Sequence, residues 1–140
     1  MKTLLLISDS KKVFEITNSI VDEKYNLIWY TYKKFEKIQC VQANVIIMYF
    51  NENRVKNDNF PLIVRVQNKL GKTVPILALI EKSSIQEIFS IINIGVFDYL
   101  DNIENKKKYE KKIEEALRWN WYLEKYRKFN KGKFFPKIHF

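Results

Sequence analysis

Asn-Val-Ile-Ile-Met-Tyr-Phe-Asn, residues 44–51, is the stretch whose reading decides the fold. Val45 to Phe50 are all apolar or aromatic, with a polar residue on either side. A strand that is apolar on both faces must be covered on both faces. That describes a central strand of a parallel sheet with helices on either side. In open sheets of this kind, ligands gather just past the carboxyl ends of the strands. Here that point is Tyr49, Phe50 and Asn51.

Apolar runs and amphipathic stretches alternate outward from this strand. Thr3–Ser8 reads as a buried strand and Ser10 as the N-cap of a helix over Lys11–Val21, where Val13, Phe14, Thr17, Ile20 and Val21 share helical spacing. Asn26–Thr31 is aromatic and β-branched, a second strand. Lys33–Val41 predicts a short helix. Asn51–Asn59 is polar and turn-prone, a loop. Pro61 suits a first helical turn, and Leu62, Ile63, Val66 and Leu70 continue a helix that Gly71 stops. Val74–Ile80 is a fourth strand. Ser83 or Ser84, with Glu87, signals a capping box. Ile85, Ile88, Phe89 and Ile92 form the next helix's apolar stripe, and Gly95 closes it. Val96–Leu100 is a fifth strand. A last helix starts near Glu104–Lys106, with Tyr109, Ile113, Ala116 and Leu117 on one face. The expected fold is an α/β three-layer sandwich: a five-stranded parallel sheet, helices on both faces, right-handed crossovers and an extended last helix.

Composition narrows the function. One domain fits 140 residues. Three glycines leave no phosphate-cradling loop of the Gly-x-Gly-x-x-Gly or Walker type. Cys40, the one cysteine, reads as a small core residue, and His139 as a solvated tail residue without a metal-ligand cluster around it. The expectation is a cytoplasmic protein without a membrane span, a membrane partner, a metal or a cofactor. Charge is uneven. Residues 106–140 hold 12 Lys/Arg against 4 Asp/Glu, whereas residues 1–105 hold 13 against 12.

Four segments together resemble the receiver domain of two-component response regulators, the chemotaxis-receiver fold. Thr3-Leu-Leu-Leu-Ile-Ser-Asp9 resembles the family's first strand with its acidic pair. Ala43-Asn-Val-Ile-Ile-Met-Tyr49 resembles the third, which ends in the phosphorylated aspartate. Val74-Pro-Ile-Leu-Ala-Leu-Ile80 resembles the fourth, which ends in a switch Thr or Ser. Ile94-Gly-Val-Phe-Asp-Tyr-Leu-Asp-Asn-Ile103 resembles Gly-Ala-x-x-Tyr-Leu-x-Lys-Pro. The resemblance covers residues 2–118 and implies strand order 2-1-3-4-5. It divides the chain into a receiver-like domain, 1–118, and a helix extension with a basic aromatic tail, 119–140.

Carried over residue by residue, the active site is degenerate. The acidic pair falls on Ser8 and Asp9, the phosphoacceptor on Tyr49, the switch hydroxyl on Ile80, the lysine on Asn102 and the proline on Ile103. Only Tyr99 keeps its type, at the switch-aromatic position. Aspartyl phosphorylation needs a carboxylate nucleophile, Mg²⁺ on carboxylate oxygens and a cation beside the phosphoryl group. The resemblance therefore implies a pseudo-receiver with no catalytic residue, in which Tyr49 fills the vacated pocket and locks it together with Ile80. Glu52 reads as a solvated loop acid, and Asp9 as a solvated or helix-capping one.

Beyond Leu117, a second stripe appears: Trp119, Tyr122, Leu123 and Tyr126, with Lys125, Arg127 and Lys128 around it. Gly132 is a helix stop, followed by Phe134-Phe135-Pro136. Three readings stand: aromatics folded back on the domain, a protein partner or homodimer using Trp119, Tyr122 and Tyr126, or nucleic acid on the basic tail. The family commonly makes protein contacts through its fourth helix, fifth strand and last helix, so the resemblance supports the second.

Overall fold

The computed structural model describes residues 1–39, 41–51, 59–71 and 73–131. Ten elements alternate: β1 (Thr3–Ile7), α1 (Lys11–Val21), β2 (Asn26–Tyr30), α2 (Tyr32–Lys37), β3 (Val45–Phe50), α3 (Asn59–Leu70), β4 (Ile76–Ile80), α4 (Ile85–Ile94), β5 (Asp98–Leu100) and α5 (Lys106–Lys131). All neighbouring strands are parallel, in the order β2-β1-β3-β4-β5. β3 is central, as its apolar run requires.

Strand alternation splits β3 between two cores. Ile46, Met48 and Phe50 enter a cluster with Tyr32 and Phe35 of α2, Leu62, Ile63 and Val66 of α3, and Ile91 of α4. Val45 and Ile47 enter the opposite cluster with Val13, Ile20 and Val21 of α1 and Tyr109, Ile113 and Ala116 of α5, against which Tyr49 packs. The result is three layers, with α1 and α5 on one face and α2, α3 and α4 on the other. α1 and α5 are pinned to each other by a buried polar bond, Thr17 Oγ1 to the Tyr109 hydroxyl at 2.7 Å.

Local signals explain the boundaries. Ser10 caps α1 by accepting from the Val13 amide. Ser84 and Glu87 form the expected capping box on α4, and Gly95 closes that helix at φ +112°, in the left-handed region that favours glycine. Three expectations are corrected. The second helix ends at Lys37, not Val41: Ile38 is extended, and Lys69 Nζ reaches the carbonyls of Phe35, Glu36 and Ile38 at 2.7–3.1 Å, closing the carbonyl end early. The fourth strand begins at Ile76, after Pro75, which has no amide to donate to the ladder. The fifth shrinks to Asp98–Leu100.

The largest difference concerns α4. Of the apolar stripe Ile85, Ile88, Phe89 and Ile92, three are exposed, and Ile91, outside that stripe, is the residue of this helix that is fully buried. Ile88, Ile91 and Ile94 carry the apolar side well round the helix from Ile85, Phe89 and Ile92, so periodicity alone does not say which part of it the sheet takes. Cys40, Glu52 with most of the polar loop, Gly132, Phe134, Phe135, Pro136 and His139 lie outside the described residues.

Candidate functional site

Parallel strands bring the ends of β1, β3 and β4 to one rim. There a cavity of about 170 Å³ is lined by Asp9, Ser10, Tyr49 and Asn51. Ser8 is fully buried, and its hydroxyl oxygen accepts from the Ser10 amide at 3.0 Å, a local turn that starts α1. Asp9 is exposed, and its Oδ1 accepts from the Tyr32 amide at 3.1 Å, at the start of α2. Tyr49 is half-buried. Its hydroxyl donates to Glu81 Oε2 at 3.3 Å, and its carbonyl accepts from the Tyr32 hydroxyl at 2.8 Å. Ile80 is fully buried, opposite Phe50 in the β3–β4 register.

Neither Ser8 nor Ile80 lines this cavity, and Ile80 lies in the cluster beneath α2, α3 and α4 while Tyr49 packs against the opposite one, so the expected closing of the pocket by the two together is corrected; the remaining candidates also stand apart from the lining. Asn102 is exposed, and its Oδ1 accepts from the Glu104 amide at 3.2 Å, the geometry of a turn residue. Ile103 is buried. Tyr99 is half-buried on β5, with Lys112 Nζ 5.8 Å from its ring centroid. Lys112 also pairs with Asp98 at 2.7 Å. Among the described residues no group of three or more His, Cys, Asp or Glu could hold a metal ion.

Glu81 was missed by sequence reasoning. It stands one residue past Ile80, at the end of β4, where the Tyr49–Leu79 pairing brings that chain within reach of the Tyr49 ring. A half-buried phenol needs an acceptor, and scanning the neighbouring strand's end for one would have found it.

The Tyr49 phenol is raised above its ordinary value, first by burial and then by the charge and hydrogen bond of Glu81. Tyr109 is raised by complete burial, partly offset by the Thr17 bond. For both, the folded state holds the neutral phenol above the unfolded value near ~10. Their contribution is fully present below pH ~10 and is lost as pH rises through the folded pKa values. Urea midpoints should therefore fall above pH ~10, and fall less steeply in Tyr49→Phe and Tyr109→Phe.

A second surface is apolar. Ile85 and Phe89 are 70% and 60% exposed, and Ile92 lies on the same side of α4. On α5, Trp119 stacks on Phe97 at 6.1 Å yet remains 44% exposed, and Tyr122 is 54% exposed. Tyr126 is half-buried. At 100° per residue, Trp119, Tyr122 and Tyr126 share the side of α5 that carries Lys112 toward β5. The structure adds Trp121, which meets Tyr122 edge-on at 5.1 Å and has Lys125 Nζ 4.6 Å from its centroid. No described helix is long and apolar enough to cross a membrane.

No family model and no curated protein sequence matches the chain. Solved structures do. A two-component response regulator from Clostridium difficile is 21% identical, with a TM-score of 0.70 over 84% of this chain and 97% of that one. The receiver domain of NtrC4 from Aquifex aeolicus is 17% identical, with a TM-score of 0.70 over 85% and 98%. The chain has the receiver fold. A structure described as adenylate cyclase from Rhodopirellula baltica, 11% identical, reaches a TM-score of 0.79 over 94% of this chain and 98% of its own. That match leaves too few residues over to omit all of α5 beyond residue 118, so the extension has a counterpart in another protein of this fold.

Proposed function

We propose that this chain is a receiver-like regulatory module of two-component type that has lost phosphoacceptor chemistry and acts by protein–protein contact. Residues 1–118 form the module and 119–140 its extension. The observation that carries the reading is the state of the β3 terminus. The acceptor position holds a phenol whose hydroxyl is bonded to Glu81. Ser8 is spent on a turn, Ile80 is aliphatic and buried, and Asn102 caps a turn instead of offering a cation. Asp9 and Glu81 alone give Mg²⁺ few of the oxygens it takes in octahedral geometry. No catalytic constellation is assigned, and the module needs no cofactor in this reading.

Contact is assigned to the last helix, where Trp119 and Tyr122 present aromatic surface. Aromatic anchors are the residue types that carry binding energy at interfaces. The test is beryllofluoride, a phosphoryl mimic, with Mg²⁺, read by fluorine NMR. The expected spectrum shows free fluoroberyllates only; a bound signal that perturbs Tyr49 sinks the reading.

The charge distribution favours a second function. The surplus of Lys/Arg over 106–140 supplies phosphate affinity irrespective of sequence. Salt-dependent retention on DNA that is lost on deleting 125–140 favours a nucleic-acid-associated regulator instead.

A further inference from the structure

We infer that the cavity between the α5 extension and the amino-terminal edge of the sheet binds a small zwitterion, an α-amino acid with an apolar side chain. This goes beyond the reading above. It stands whether or not phosphoacceptor chemistry is lost, because the cavity lies at the rim opposite Tyr49.

The cavity holds about 550 Å³, within the usual range of small-molecule sites. Three parts of the fold wall it. Thr3 opens β1 and Asn44 precedes β3. Lys69 and Leu70 end α3, and Val74 stands just before β4. Glu124 and Arg127 belong to the last helix, past Asn120. Without those later turns the space would lie open on that side; the extension makes it a cavity.

The wall carries both signs of charge side by side. Arg127 Nη2 donates to Glu124 Oε2 at 2.6 Å. That bond uses one N–H group of the guanidinium and one oxygen of the carboxylate. The rest of the planar fork can take a second carboxylate, and Glu124 Oε1 can accept from an ammonium. An α-amino acid carries the matching dipole: by standard bond lengths its ammonium nitrogen and carboxyl carbon lie roughly 2.5 Å apart. Laid head to tail against the Glu124–Arg127 pair, it closes a ring of alternating charges. The pair by itself is partly exposed and screened, so a second pair of charges adds to it.

Lys69 decides against a simple anion. Its Nζ meets the carbonyls of Phe35, Glu36 and Ile38 at 2.7–3.1 Å, so its three N–H donors are spent. A phosphate would find one shared guanidinium, with the Glu124 carboxylate beside it. Val41, Leu70 and Val74 line the same cavity, apolar surface that an aliphatic side chain can cover and a phosphate cannot.

Occupancy reaches the fold through Asn44. Its Oδ1 holds the Thr3 amide at 2.8 Å, and its Nδ2 donates to Asn120 Oδ1 at 3.2 Å. A ligand joining Arg127 to this wall adds a further tie between the extension and the sheet.

The test is an amide NMR titration of the full chain with L-leucine, read against L-leucinamide, N-acetyl-L-leucine and inorganic phosphate. Saturable shifts are expected at Thr3, Asn44, Leu70 and Arg127, and none at Tyr49. Leucinamide lacks the carboxylate and N-acetyl-leucine the ammonium, so each should bind at least roughly 10-fold more weakly. Arg127→Gln and Glu124→Gln should weaken L-leucine by a similar factor and leave the melting temperature near wild type, since both side chains are partly exposed. In Arg127→Gln the preference for leucine over leucinamide should vanish. In Glu124→Gln the preference over N-acetyl-leucine should vanish, a pattern that a general loosening of the helix would not give. No saturable shift at millimolar L-leucine, undiminished affinity in both variants, or shifts centred on Tyr49 overturns the proposal. So does phosphate that binds at this rim more tightly than L-leucine, which would make it an anion site.

Discussion

Phe50→Ala should lower the unfolding free energy by ~3–5 kcal/mol, read from urea denaturation. Tyr49→Phe, one residue earlier, should cost only ~0.5–1.5 kcal/mol. The contrast comes from strand alternation. Phe50 is fully buried in the cluster beneath α2 and α3, with its ring 6.3 Å from that of Tyr32. Truncation there leaves a cavity walled by Ile80, Leu62 and Ile63, all held in a close-packed core. Tyr49 loses one hydroxyl at a half-open rim and keeps its ring. Against a total of ~5–15 kcal/mol, the first change endangers folding at body-like temperatures and the second does not. Equal costs at the two positions would mean that Tyr49, not Phe50, carries the packing at the end of β3.

Phosphoryl chemistry should return only when the whole constellation is rebuilt. Incubated with a small acyl-phosphate donor and Mg²⁺, the wild-type chain and Tyr49→Asp should both stay unlabelled. The combined variant Ser8→Asp, Tyr49→Asp, Ile80→Thr, Glu81→Ala, Asn102→Lys should take label in a Mg²⁺-dependent way. A new carboxylate at position 49 alone has Glu81 within reach of its surroundings, a like charge that repels the incoming group. It also lacks both the cation and the second metal-binding carboxylate. Ser8 is fully buried, so a carboxylate there is costly until a metal neutralises it. The combined variant should therefore melt below wild type without Mg²⁺ and recover with it. Labelling of Tyr49→Asp by itself would show that the remaining pocket is far less degenerate than its residues imply.

The layered architecture was legible because its determinants are local and redundant. Leu4–Ile7, Val45–Phe50 and Ile76–Ile80 are runs too apolar for any surface strand, and Ser10, Ser84 and Gly95 sit where caps belong. α5 was legible as an extended helix because no Gly or Pro interrupts residues 106–131. The orientation of α4 was not, because Ile85, Ile88, Phe89, Ile91, Ile92 and Ile94 satisfy a helical stripe on more than one side. Only the sheet decides which side is covered. The Tyr49–Glu81 bond was hidden for another reason: it joins residues 32 apart whose closeness depends on strand register, which no local pattern reports. Likewise the Lys69 bonds that end α2 come from a different helix, more than thirty residues away.

One feature of α5 bears on mechanics. Asn120, nearly fully buried, accepts from Asn44, whose own Oδ1 holds the Thr3 amide, so the helix is bolted to the sheet's amino-terminal edge at that point. Beyond this point the helix continues to Lys131, roughly 16 Å further at 1.5 Å per residue, with Glu124 and Arg127 beside Thr3, Val41 and Leu70. A tilt of about five degrees at the bolt would shift the far end of the helix by roughly 1.5 Å. Asn44→Ala would remove both bonds at this point, leaving the Thr3 amide and Asn120 without their partner and loosening the helix at its midpoint.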